Sequence, residues 1–310
     1  MMLRPTDPKE IKGILGNLKI HCAPGDDGVS SGLLRKFHDI LCFPIDHLCN
    51  LSLTSDTFPS IFKQAIIIPI YKSGDKMTVS NYRPISLLKV LSKVLEKVVN
   101  NRLLSYLENH NLISNNQYGF RTKKSTEDAV ICLSNIATKH MDQRLKCLAV
   151  FLDLKKAFDT VSIPLLLRKM ECLSILGTPL AWFKDYLKER SQTVKVLDYT
   201  SNTQKVTHGI PQGSTLGPTL FLIYANEMCD LELDNAQIIA FADDTAIIFH
   251  GRTWEETRKT AEKGLAKIRK TLENNLLTIN AQKTKWICFS ITPATQPPTN
   301  FTLTLLCKSR

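Results

Sequence analysis

The sequence has no CxxC pair and no internal repeat. It also has no uninterrupted apolar stretch approaching the ~20 residues that a bilayer crossing needs. Its first ten residues, MMLRPTDPKE, put proline and acids where a secretory signal has its apolar core. The nine cysteines are an odd, scattered set. They argue against a disulfide framework and fit reduced thiols in an intracellular protein of cytoplasm or nucleus. Acids are in short supply, 29 Asp and Glu against 40 Lys and Arg, for a net charge of +11 and a pI near 9.2. That imbalance favours a polyanionic partner, nucleic acid or an anionic membrane surface, although a merely soluble basic protein has the same composition.

One stretch tempts a metal reading. HDILCFPIDHLC offers His38, Cys42, His47 and Cys49, all zinc-ligand types. Their spacing matches no standard zinc pattern. They sit among Leu41, Phe43, Ile45 and Leu48 in a helix expected to break near Pro44, so buried core cysteine and histidine is the preferred reading.

With 310 residues, 43% hydrophobic and 22% charged, the chain can fold as two domains or one large one. Helical spacing runs through 84–110, with Leu88, Leu91, Val94 or Leu95, Val98 and Leu103 as its apolar positions. IPLLLRKMECL and PLAWFKDYLKER read as two more helices, the second capped by Thr178 with Pro179 at its first position. Residues 215–228 and 255–277 complete the helices, the latter with a stripe of Ala261, Leu265, Ile268 and Leu272. Strands are expected in 64–75, 147–154 and 284–290, and hairpins over 193–209 and 237–249. The class is α+β.

The chemistry concentrates in two stretches. QIIAFADDTAIIF (237–249) sets Asp243 beside Asp244 between two β-branched runs. An ordinary hairpin turn prefers glycine at its tip, and paired carboxylates repel unless a cation lies between them. Magnesium, a hard ion that takes carboxylate oxygens and phosphates, suits that role. AVFLDLKKAFDTV (149–161) likewise runs an apolar strand straight into Asp153. If these strands are neighbours, three carboxylates converge. They could then hold two divalent ions about 3.5–4 Å apart for an in-line displacement at phosphorus.

FADD, FLDLKKAFDTV, GIPQGSTLGPTLF and NYRPISLL together resemble the reverse transcriptase of non-LTR (LINE-type, jockey-like) retrotransposons. APGDDGVSSGLLRK, IIPIYKSGD, QYGFRTKKSTEDAV and LLTINAQKT extend the match, in the family's order, over about residues 20–290. The resemblance implies a right-hand polymerase with fingers and an antiparallel palm sheet backed by helices, and with the thumb missing. An N-terminal helical and loop extension (1–60) leads into fingers and palm (61–290), and an unpatterned tail fills 291–310.

It implies an RNA-directed DNA polymerase with an RNA template, a DNA primer and dNTPs as partners. Two magnesium ions, with manganese as a substitute, would be bound by Asp153, Asp243, Asp244 and the Leu154 carbonyl. Phe158 matches the steric gate against a 2′-OH, Lys72 and Arg83 the triphosphate grip, and Gln212 the brace for nucleotide and template. Lys283 matches a general acid for pyrophosphate, with Lys285 an unresolved neighbour, and Arg121 a template contact. The rival is a truncated, inactive or repurposed nucleic-acid-binding copy. A viral RNA-templated RNA polymerase shares the carboxylates, but Phe158 and PQGS stand against it.

Overall fold

A computed structural model describes residues 1–20, 22–291 and 295–304. Along the chain run α1 (Pro8–Gly16), α2 (Ser31–Lys36), α3 (His38–Thr54), β1 (Gln64–Tyr71), β2 (Tyr82–Leu87) and α4 (Val90–Asn109). Then come α5 (Thr126–Asp142), β3 (Lys146–Leu152), α6 (Ile163–Cys172), α7 (Thr178–Leu187), β4 (Ser191–Val196), β5 (Tyr199–Thr200) and β6 (Gln204–Lys205). The last are α8 (Gly217–Cys229), β7 (Ala236–Phe241), β8 (Asp244–Gly251), α9 (Trp254–Asn274) and β9 (Lys285–Phe289). Among the described residues no helix is long and apolar enough to cross a membrane.

The chain divides into two compact units, Met1–Leu112 with Val161–Leu220, and Ile113–Thr160 with Phe221–Arg310. The first carries a sheet ordered β2-β1-β4-β5 with β6 also on β4. Its core centres on Phe58, whose ring meets Trp182 and Tyr186 edge-on at 5.6 and 4.9 Å. The guanidinium of Arg190 lies 5.0 Å from the Tyr186 ring centre, a buried cation on an aromatic face.

Local chemistry corrects three expectations here. Helix α3 continues through Pro44. Its buried stripe is Cys42, Ile45 and Cys49, while His47, Phe43 and Leu48 are exposed, because the 3.6-residue period turns those positions outward. Helix α7 starts at Thr178 with Gly177 as its cap, at φ 63°, a left-handed conformation that glycine adopts without strain.

Glu96 on α4 is fully buried. One carboxylate oxygen accepts the backbone N–H of Thr215 at 2.6 Å and of Leu216 at 3.3 Å; the other accepts the Ser92 hydroxyl at 2.9 Å. It thereby anchors the loop 209–216. The loop is tied again where Ser86 N–H, on the free edge of β2, donates to the Gln212 carbonyl at 2.8 Å. Gly213, at φ +119°, permits that approach, since a Cβ there would lie 2.7 Å from the Ser86 oxygen.

The second unit is built on the sheet β7-β8-β3-β9, antiparallel throughout. Cys147 to Val150 of β3 are completely buried. Ala137 of α5 packs on Ala149 and Ile248. On the opposite face Gly264 of α9 lies against Phe249, where a Cβ would sit 2.6 Å from the ring. The apolar stripe of α9 is buried as its period requires. The tail expected over 291–310 lies partly outside the described residues. Within them, the Phe301 ring meets Trp254 and Trp286 edge-on, each at 5.6 Å.

Burial pushes the Glu96 carboxyl above its ordinary value of 4.5, with Arg190 and the hydrogen-bond donors opposing. Its contribution to stability is therefore full below pH 4.5 and declines as pH rises through the raised folded value. Glu96→Gln keeps an acceptor for the loop amides and should flatten this decline in urea unfolding followed from pH 4 to 8. Glu96→Ala leaves those amides unpaired and should cost about 1–3 kcal/mol. An unchanged pH slope in the Gln variant would refute the assignment.

Candidate active site

Strands β3 and β8 pair with Leu152 opposite Thr245. One step beyond that pair, where the ladder ends, come Asp153 after β3 and Asp244 at the start of β8. Phe241 pairs with Asp244, so the hairpin tip is Ala242-Asp243 and not Asp-Asp. Ala242 occupies the left-handed region at φ 58°. An alanine there is strained by about 1–2 kcal/mol relative to glycine. Asp153 and Asp243 are half-buried and Asp244 is exposed.

The register brings the three residues to one end of one sheet. Their side chains as they stand are not gathered: among the described residues no three His, Cys, Asp or Glu side chains form a group that could hold a metal. The reason is visible at Asp153. Asn280 Nδ2 donates to its Oδ2 at 2.7 Å. Asn280 N–H also donates to the Asp153 carbonyl at 2.7 Å, and Asp153 N–H reaches Thr284 Oγ1 at 3.4 Å. Lys155 N–H donates to Thr278 O. Those bonds use the neighbours of Leu154, so its carbonyl points away from the 278–280 segment. Oxygen-only donors at a strand end suit a hard divalent ion in type and register, once Asp153 turns from Asn280.

The other expected residues fall in both units. In the second, Lys283 is exposed in the turn before β9, its N–H bonded to Asn280 O at 3.1 Å, and exposed Lys285 opens β9 opposite Phe151. Phe158 is half-buried and stacks on Phe221 at 4.5 Å and 24°. Arg121 donates to the Ser114 carbonyl at 2.7 Å, closing its own loop. In the first unit, Arg83 pairs with Ile70 of β1, and Lys72 follows directly after that strand. Lys72 and Arg83 are both exposed, at the end of β1 and on β2. Gln212 is half-buried in the loop anchored by Glu96.

Residues 70–303 match the family model described as reverse transcriptase (RNA-dependent DNA polymerase), and the chain belongs to that family. It is 32% identical to the RNA-directed DNA polymerase from mobile element jockey of Drosophila melanogaster, over 91% of this chain and 31% of the relative. A protein of transposon BS from the same fly is 30% identical over 95% of this chain and 34% of its own. The chain thus spans about a third of the length of these relatives. Among solved structures, apo telomerase from Candida tropicalis, truncated of its C-terminal domain, superposes with a TM-score of 0.52 at 13% identity. That overlap covers 75% of this chain and 51% of the other, and the shared fold is that of a polymerase.

Two neutral amides of the site were not singled out in the sequence: Asn280 on Asp153, and Gln117 on the hairpin tip. Both lie inside motifs that carry the resemblance, NAQKT and QYGFR, beside the charged Lys283 and Arg121. A double-mutant cycle of Asp153→Ala and Asn280→Ala should return a coupling of about 1–2 kcal/mol, the scale of a hydrogen bond to a partly exposed charge. Strictly additive unfolding free energies would show that the bond contributes nothing.

Proposed function

We propose that this chain is the polymerase core of a jockey-like reverse transcriptase, with residues 61–290 as fingers and palm. It adds deoxynucleotides to a primer 3′-OH on an RNA template. The register that carries Asp153 and Asp244 to one sheet end, beside Asp243, supports this reading most directly.

In the reaction the 3′-oxygen attacks the α-phosphorus, the bond to pyrophosphate breaks, and the hydroxyl proton is lost to solvent. Asp153, Asp243 and Asp244, with the Leu154 carbonyl, would hold two magnesium or manganese ions. When bound, these supply charge stabilisation for the attacking and leaving oxygens. Lys72, just after β1, and Arg83, on β2, bind triphosphate oxygens, Arg by its fork and Lys as a point charge. Gln212 orients the base pair from a loop whose backbone is fixed at both Glu96 and Ser86. Phe158, held on Phe221, presents a rigid ring to the sugar, where a 2′-OH finds no room. Lys283, exposed at its turn, gives a proton to departing pyrophosphate. Arg121 steadies the loop that meets the template strand.

The test is extension of a DNA primer on an RNA template with labelled dNTPs and magnesium. Wild-type extension is expected; duplex binding without extension would establish the inactive, nucleic-acid-binding copy instead. Asp243→Asn should cut extension by at least about a hundredfold, the scale of losing one electrostatic stabiliser, with the unfolding temperature preserved. Near-normal extension by that variant would sink the carboxylate assignment. Phe158→Val should lower the dNTP-to-rNTP efficiency ratio by about 10–200-fold, and an unchanged ratio would leave Phe158 as packing alone.

A further inference from the structure

The tip of the β7–β8 hairpin is buried where hairpin tips are usually wet. Ala242 is 4% exposed. Its N–H points outward from a two-residue turn and has no ladder partner, so burial obliges some other group to accept it. Gln117, 2% exposed, does so: its Oε1 accepts the Ala242 N–H at 2.9 Å and the Gly119 N–H at 2.8 Å. Its Nε2 reaches back to the Ala242 carbonyl at 3.5 Å. The same side chain therefore grips both polar groups of the residue that precedes Asp243.

Two further features tie this segment to the tip. Asn116 O accepts the Ala240 N–H at 2.8 Å, and Tyr118 N–H donates to Ala240 O at 2.7 Å, so residues 116–118 pair with β7 just before the turn. Gly119 passes so close that a Cβ would overlap the Ala242 backbone nitrogen. The left-handed Ala242 is thus held on three sides. Gripping its N–H and its C=O restrains both of its backbone dihedrals, and these fix the peptide plane from which Asp243 departs.

We infer that Gln117 is a positioning residue: its buried amide locks Ala242 in the left-handed conformation and so aims the Asp243 carboxylate for cation binding. The inference rests on the reading of Asp243 as a cation ligand given under Proposed function. A carboxylate on a two-residue tip otherwise samples several directions, and each lost constraint lowers the fraction competent to bind. Among the described residues, the group that accepts the Ala242 N–H is Gln117 Oε1.

The experiment compares the whole chain with Gln117→Met, which keeps the volume and removes both polar atoms, and with Asp243→Asn. Three quantities are read: exchange of the Ala242 backbone amide, Mn2+ binding by electron paramagnetic resonance without nucleotide or duplex, and thermal unfolding. In Gln117→Met, Ala242 exchange should rise by about tenfold or more, the equivalent of one buried hydrogen bond lost. The Mn2+ half-saturation should rise by about five- to tenfold, in a variant whose circular dichroism is that of wild type.

Faster Ala242 exchange with unchanged Mn2+ binding would overturn the positioning role and leave a merely structural glutamine. If Gln117→Met does not fold, wild-type exchange decides: protection of Ala242 by about a hundredfold or more over a free amide supports the brace, and exchange at the free rate overturns it. Wild-type Mn2+ binding no tighter than that of Asp243→Asn would instead refute the polymerase reading of the carboxylates, whatever Ala242 does.

Discussion

The pairing of β3 with β8 is the constraint on which the second unit depends. β3 is completely buried from Cys147 to Val150 and lies between two antiparallel neighbours, with α5 on one face and α9 on the other. A slip of one residue would turn every core side chain to the wrong face. The register is therefore rigidly specified by packing, far from any charged group. Its consequence appears only at the strand's end, where Asp153 and Asp244 emerge side by side and Asp243 caps the hairpin.

Uncharged side chains restrain this end of the sheet. The structure uses amides. Asn280 donates to Asp153, and Gln117 accepts the Ala242 N–H, so Asp153 and the residue before Asp243 are each held by a side chain that adds no net charge. In the first unit the choice is different. There a buried carboxylate, Glu96, gathers the amides of Thr215 and Leu216 near the cation of Arg190. Both solutions satisfy buried backbone N–H groups, and both fix a loop by its backbone.

Much of this was legible before the fold was seen. The strand that ends in Asp153, the hairpin that carries Asp243 and Asp244, and the stripe of α9 all follow from periodicity, and all appear where the pattern put them. Eight short motifs in order specified the family. The failures are local. Pro44 does not break α3, because tertiary packing of Cys42, Ile45 and Cys49 outweighs the lost backbone bond. The turn tip fell one residue earlier than the Asp-Asp pair suggested, since strand pairing and not turn preference set it.

Sequence alone determined the kinds of groups present: carboxylates at strand ends, cations near the β1–β2 turn, a ring five residues beyond an aspartate. These depend on residue type and spacing along the chain. What only the tertiary structure decided was which groups restrain them. Gln117 lies 125 positions from Ala242 in sequence and Asn280 lies 127 from Asp153. Glu96 is 119 positions from Thr215. No local pattern records such distances, because a hydrogen bond between buried groups is specified by where two surfaces meet, and that is settled by packing of the whole core.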